Sequence, residues 1–330
     1  MSAGGVLPRR QIGSSGLFVT ELGFGGTALG NMYSAVSDED AYAAVEAAWA
    51  GGIRYFDTAP HYGLGLSERR LGAALRTKPR DTYVVSTKVG RLLVPNPAPC
   101  GSDLGIAGYD VPDDLTRQWD FSRDGVLRSI DQSLDRLGLD RIDIALVHDP
   151  DDFLDQAIDE ALPALIELRD QGVIKAVGAG MNYVSPLSRI AAETDVDVLL
   201  VAGRWTLIDR SAKALLDDCL ERGVSVLAAA PFNSELLASD WPEVGARFDY
   251  VAAPASVLAT ARRMAELCRS HSMQMPHAAL RFPFQHPAVT SVICGMRNVT
   301  EVATDVEWAS TALSKDIWRE IDAQPWLNAD

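Results

Sequence analysis

The chain has 330 residues, 45 acidic against 30 basic side chains, and a formal net charge of −15. That charge excludes nucleic acid and an anionic membrane surface as partners, because either requires a clustered positive field. At 47% hydrophobic and 23% charged residues the composition excludes disordered and fibrous classes, and the length suits either two domains or one large α/β barrel.

From the N-terminus, Met1–Gln11 is basic but lacks the apolar core of a signal peptide, and no apolar run approaches the roughly 18 residues needed to cross a bilayer. The expectation is a cytoplasmic protein. Arg9-Arg10-Gln11-Ile12-Gly13 and Leu17-Phe18-Val19 flank Ser14-Ser15-Gly16, which predicts a β-hairpin ahead of the first long element. Thr20–Gly25 then predicts a strand. Behind it, Gly23-Phe24-Gly25-Gly26-Thr27-Ala28 fits G-x-G-x-x-A, the dinucleotide turn of a doubly wound sheet. Such a turn opens directly into a helix. Here Gly30-Asn31-Met32-Tyr33 intervene, so the glycines read as a place of close backbone approach. A helix follows from near Ser37, whose hydroxyl can cap the first free N–H groups, and ends at Gly51-Gly52. Its spacing puts Tyr42, Val45 and Trp49 on one face.

The pattern of a short apolar run followed by helical periodicity then repeats. Strands are predicted at Ile53–Thr58, Tyr83–Lys88, Ile142–His148, Ile174–Ala179, Val198–Val201, Val224–Ala230 and Val289–Cys294. Helical patterns start near Ser67, Ser122, Asp155, Ser185, Ser211, Pro254 and Val299. Eight βα units in one chain predict the α/β class and a (β/α)8 TIM barrel with an N-terminal β-hairpin cap, spanning 1–330 as a single domain. Two connections are longer than turns require: Val89–Phe121, with four prolines, and Pro231–Ala253. Both leave C-terminal strand ends and are candidate substrate loops. Cys100, Cys219, Cys268 and Cys294 are far apart in sequence, form no C-x-x-C pair, and read as reduced core thiols. The sequon at Asn298 reads as chance.

Polar residues at C-terminal strand ends would converge on one mouth. Strand two ends in Asp57, with Tyr62 just beyond; strand three ends in Lys88 and strand four in His148-Asp149. A phenol is a poor base at neutral pH, but an adjacent ammonium stabilises its phenolate. Asp57 would hold Lys88 charged and oriented, and His148 could bond the substrate oxygen, giving an acid–base centre for a hydroxyl or carbonyl. Taken singly, each residue has a structural explanation; their joint placement is what carries the reading. The other histidines, His61, His271, His277 and His286, show no metal-ligand spacing, and no metal is assigned.

These residues resemble the aldo-keto reductases, barrels that use nicotinamide cofactors. Phe56-Asp57-Thr58-Ala59-Pro60-His61-Tyr62-Gly63 with Ser67-Glu68, Ser86-Thr87-Lys88-Val89-Gly90 and Leu146-Val147-His148-Asp149 match that family's Asp, Tyr, Lys and His tetrad. By resemblance Tyr62 is the proton donor or acceptor, Lys88 lowers its pKa, Asp57 pairs with Lys88 and His148 orients the substrate. Within the family the chain is most similar to the bacterial sugar dehydrogenases of the L-fucose and D-threo-aldose 1-dehydrogenase type and to pyridoxal 4-dehydrogenases. Gly178-Ala179-Gly180-Met181-Asn182, Ala202-Gly203-Arg204-Trp205-Thr206-Leu207 and Phe232-Asn233-Ser234 carry that similarity.

The resemblance implies cofactor contacts at Gly26 and Thr27 after strand one, at Asp57, and at Asn182, which stands near the place where the family holds the carboxamide. Ala229 stands where a tyrosine commonly stacks on the nicotinamide, so Trp205 is the candidate for that ring. Pro231, Asn233 and Ser234 follow strand seven, and Gly295, Arg297 and Glu301 follow strand eight. Members preferring NADP carry a lysine and, six residues on, an arginine; Gly295 and Glu301 stand there, with Arg297 between them. The implied cofactor is NAD, with NADP as the alternative. Candidate substrate contacts at the mouth are Tyr33, His61, Asp149, Arg204 and Trp205. The expected activity is oxidation of an aldose at C1 to its lactone, the substrate being a small sugar or aldehyde. An NADPH-dependent aldehyde or ketone reductase, a pyridoxal 4-dehydrogenase and a non-catalytic cofactor-sensing subunit stay open.

Overall fold

A run such as Ile144-Ala145-Leu146-Val147 is apolar at successive positions, so both faces of the strand need apolar cover, as in a barrel wall inside a ring of helices. A computed structural model describes residues 7–327 and contains that wall. Its eight parallel strands are β1 (Leu22–Gly25), β2 (Tyr55–Asp57), β3 (Val84–Val89), β4 (Ile144–His148), β5 (Ala176–Met181), β6 (Val198–Ala202), β7 (Ser225–Ala229) and β8 (Val289–Gly295). They close into a barrel in chain order, β8 pairing back onto β1. Every predicted strand is present within two residues of its expected ends.

The ring of helices is α1 (Asp38–Ala50), α2 (Leu66–Leu75), α3 (Arg123–Leu137), α4 (Leu162–Asp170), α5 (Val184–Glu193), α6 (Lys213–Arg222), α7 (Ala255–Ser270) and α8 (Val299–Ser310). Among the described residues the helices Leu104–Ala107, Met275–Arg281 and Lys315–Asp322 also lie outside the expected pattern. At the start of α1 the Ser37 hydroxyl accepts from Asp40 N at 3.0 Å, and Gly52 makes the left-handed exit at φ +91°. The expected packing face is corrected. Ala41, Ala44, Val45 and Ala48 are buried, while Tyr42 is exposed, because the small alanines let the helix lie close to the wall.

Residues alternating into the barrel form their own core, with Tyr55, Val84, Ile144, Leu146, Val198, Leu200, Leu227 and Ile293 packed together. Ile12 and Val19 join that cluster, so the hairpin of Arg9–Gln11 with Phe18–Thr20 plugs the N-terminal end as expected. Of the region read for a leader peptide, Met1–Val6 lie outside the described residues. Both long connections carry small hairpins: Arg91–Pro95 pairs with Leu115–Trp119, and Arg247–Phe248 pairs with Val251–Ala252. Cys219, Cys268 and Cys294 are buried, whereas Cys100 lies exposed in the first of these loops, against the expectation of a core thiol. Among the described residues no helix is long and apolar enough to cross a membrane.

Candidate active site

Strand alternation fixes the layer above the plugged core. Counting by twos from Tyr55, Val84 and Leu146 brings Asp57, Lys88 and His148 inward at the C-terminal ends of β2, β3 and β4. Lys88, 2% exposed, donates to Asp57 Oδ2 at 2.7 Å and to the Thr58 carbonyl at 3.0 Å. The other oxygen, Asp57 Oδ1, accepts from Ser86 Oγ at 2.7 Å, and Ser86 Oγ lies 3.0 Å from the Tyr55 hydroxyl. Burial alone would lower the Lys88 pKa, but the Asp57 carboxylate and the Tyr62 hydroxyl outweigh it and raise it above the usual lysine value. The ammonium is therefore fixed and charged, with its Nζ 4.7 Å from the centre of the Tyr62 ring.

Tyr62 reaches this position from the turn after β2. Gly63 (φ +61°) packs so tightly on the segment after β1 that an added Cβ would lie 2.3 Å from the Gly30 carbonyl oxygen, which requires glycine there. Ser67 and Glu68 brace the same turn from below. Ser67 Oγ donates to the Gly26 carbonyl at 2.7 Å, and Glu68, fully buried, accepts from Thr87 Oγ1 at 2.8 Å and from Arg136 Nε at 2.5 Å. Their carboxylate and hydroxyl thus serve the scaffold.

Beside Tyr62 stand two imidazoles, edge-on to each other at 5.5 Å, with His148 5.9 Å and His61 6.2 Å from the phenol ring. His148 is 5% exposed; burial first, then the nearby Arg91 and Lys88 cations, push its pKa well below the usual histidine range. It is a neutral ring whose buried Nδ1 has no partner among the described residues. His61 is likewise held neutral by burial and by Arg91, Arg117 and Lys88. Asp149, at φ +40°, accepts from Arg91 at 2.7 Å beside His148. Tyr109 closes the aromatic wall, 6.3 Å from Tyr62. A phenol, a fixed ammonium and two neutral imidazoles can exchange a proton with one oxygen and hold it by hydrogen bonds.

The opposite half of the layer is built from small residues. Gly180, Ala202, Ala229 and Gly295 stand at the ends of β5, β6, β7 and β8, and a Cβ on Gly180 would lie 3.7 Å from Lys88 Cε. This bare wall facing the polar half leaves room for a flat ring, the fit a nicotinamide needs. Beyond it, Asn182 donates to the Tyr250 hydroxyl at 3.2 Å. Ala230, Asn233 and Ser234 all have positive φ, and Asn233 Oδ1 is buried without a partner among the described residues. Such a turn presents backbone and amide groups to a ligand. Pro231 is buried beneath it. At the far end Gly295 is exposed, Glu301 accepts from the Arg297 and Asn298 N–H groups, and the Arg297 guanidinium is tied to Ser34. Asn298, the sequon residue, caps α8.

Several expected contacts are placed elsewhere. Trp205 is 7% exposed, donates from Nε1 to the Pro283 carbonyl at 3.0 Å and packs on Phe282, so its ring belongs to the helix layer and not to the mouth. Arg204 is held by Asp249 at 2.8 and 3.0 Å and by Asp209, and it donates to the Asn182 carbonyl; these bonds fasten the β7 loop across the β5 and β6 ends. Gly26 is buried under Ser67, while Thr27 beside it is half-buried. Tyr33 lies under Arg247, 4.4 Å away, where the two long loops meet. The sequence expectations give no site role to Ser86, Tyr55, Arg91, Arg117 or Tyr109. The first two sit two residues before Lys88 and Asp57, so strand alternation points to them; the rest lie on a connection whose hairpin the prolines conceal.

The sequence model described as the Aldo/keto reductase family matches residues 21–324. A D-threo-aldose 1-dehydrogenase from Pseudomonas sp is 45% identical over 93% of this chain and 94% of its own length. A pyridoxal 4-dehydrogenase from Microbacterium luteolum is 37% identical, covering 96% of this chain and 97% of its own. Among solved structures, the holo form of an aldo-keto reductase from Bacillus halodurans superposes with a TM-score of 0.75 at 25% identity, covering 96% of this chain and 95% of that one.

Proposed function

The chain belongs to the aldo/keto reductase family, and from that premise we propose that it oxidises an aldose at C1, using NAD, to the corresponding lactone. It is an oxidoreductase of a family that works with nicotinamide cofactors. The observation that carries the proposal is the buried Lys88, pinned to Asp57 and lying against the Tyr62 ring at the C-terminal mouth of the barrel. The similarity to a D-threo-aldose 1-dehydrogenase supports the choice of substrate class. In this proposal residues 1–330 form one catalytic domain.

The bound nicotinamide supplies the hydride acceptor. Tyr62 takes the proton of the anomeric hydroxyl as a phenolate, whose charge the Lys88 ammonium stabilises, and the resulting phenol gives that proton up to solvent before the next turnover. Asp57, saturated by Lys88 and Ser86, keeps the ammonium in place. His148, neutral and buried, bonds the same substrate oxygen without adding charge. Asp149 and His61 would face the sugar from the outer side, and the wall of Gly180, Ala202 and Ala229 would receive the nicotinamide. Asn182 would hold its carboxamide once released from Tyr250. Gly295, Glu301 and the turn at Asn233 and Ser234 would hold the rest of the dinucleotide.

The preference for NAD follows from the end of β8. A 2′-phosphate would meet the Glu301 carboxylate there, and the neighbouring Arg297 is already bonded to Ser34. With an aldose as substrate, kcat/KM is expected to be higher with NAD than with NADP. A tenfold or greater preference for NADP would falsify this assignment. Oxidation of pyridoxal is the second reading, favoured by the similarity to a pyridoxal 4-dehydrogenase.

A further inference from the structure

The connection after β3 sends a charged pair back into the site. Arg117, on the returning strand of its hairpin, is 9% exposed and Asp103 1%. The guanidinium donates to both Asp103 oxygens, at 2.5 and 2.7 Å, from Nε to His61 Nδ1 at 2.7 Å, and to the His61 carbonyl at 2.9 Å. Arginine has no acceptor and keeps its protons, so His61 Nδ1 must present a lone pair. The single proton of the neutral ring then lies on Nε2. That nitrogen has no hydrogen-bond partner among the described residues and is not among the sealed polar atoms, so it opens onto the mouth beside Tyr62, Tyr109 and His148.

We propose that Arg117, held by Asp103, is a positioning residue that locks His61 as the Nε2–H tautomer, and that this N–H selects substrates carrying an acceptor oxygen outside the reacting carbon. The ligand class is a polyhydroxylated one, its hydroxyl or ring oxygen meeting Nε2, and this part rests on the aldose reading. A neutral donor suits a hydroxyl. A charged imidazole would draw anions instead. Burial and the cations of Arg91, Arg117 and Lys88 all favour the neutral ring, while the two nearby carboxylates, Asp103 and Asp149, are already paired with Arg117 and Arg91; the neutral Tyr62, Tyr109 and His148 complete the groups that face it.

NMR of the five nitrogen-labelled histidines tests the lock, with the His61 signals assigned by their loss in His61→Phe. In the wild type the His61 proton is expected on Nε2 at neutral pH, whereas in Arg117→Met the ring exchanges between its two tautomers. A wild-type signal protonated at Nδ1, or an Arg117→Met spectrum like that of the wild type, overturns the lock. Because Arg117→Met leaves Asp103 buried alone, Arg117→Met with Asp103→Asn supplies a variant free of that charge, for which the same spectrum is expected. Selectivity is read as the ratio of kcat/KM for an aldose to that for a short alcohol with no other oxygen, both oxidised with NAD. It should fall roughly tenfold in His61→Phe and in both Arg117 variants, mainly through KM for the sugar. An unchanged ratio overturns the selecting role. A wild type that turns over no aldose overturns the aldose reading and the ligand assigned to Nε2, while the spectrum still decides the lock.

Discussion

Tyr62→Phe is expected to lower turnover of the best substrate by about a thousandfold, some 4 kcal/mol of barrel-mouth chemistry, while cofactor affinity stays within a few-fold of the wild type. The ring keeps its edge-on contacts with His148 and His61 and its packing on Tyr109, so the site is not reshaped. Only the proton-carrying oxygen is lost. Stopped-flow absorbance of reduced nicotinamide gives the rate, and quenching of intrinsic fluorescence gives the affinity. Turnover equal to the wild type means that another group moves the proton.

The larger combined effect belongs to Lys88→Met. Removing the ammonium leaves Asp57 buried with one oxygen unpaired, which costs about 3–5 kcal/mol of stability, and turnover falls by about a hundredfold or more. A second variant separates the two losses. Lys88→Met with Asp57→Asn removes both charges while the amide oxygen now at position 57 can still accept from Ser86, and buried pairs replaced together by neutral groups are nearly neutral in stability. Thermal unfolding should therefore recover in the double variant while turnover stays low. Recovery of turnover as well would show that Lys88 acts only as ballast for Asp57.

The barrel is legible in the sequence because each strand is buried on both faces and reads as a short apolar run, and because caps such as Ser37 mark helix starts. The tetrad is legible for the related reason that strand ends converge, so Asp57, Lys88 and His148 meet whatever the helices do. What escapes the sequence lies beyond the strand ends. Nothing in the local sequence says whether Trp205 turns inward or into the helix layer; its bond to Pro283, 78 positions away, decides it. The positions of Arg91, Arg117 and Tyr250 depend on two hairpins whose strands are two to five residues long, too short for alternation to be read among prolines and charges. Arg204 looks free for a substrate in the sequence because its partner Asp249 comes from the tip of one of those hairpins. On α1 the spacing favours an aromatic stripe over alanines, although close packing against the wall favours the smaller side chain.

The central claim, an NAD-dependent C1 oxidation at the Tyr62 centre, is tested most directly by one assay. The protein is mixed with NAD or NADP and with L-fucose, D-arabinose, L-galactose or pyridoxal, reduced nicotinamide is followed by absorbance, and the products are identified by mass spectrometry. Reduction of NAD with at least one aldose is expected, with the lactone as product. Pyridoxal oxidised while every sugar is left untouched, or no reduced cofactor from any pair, would contradict it.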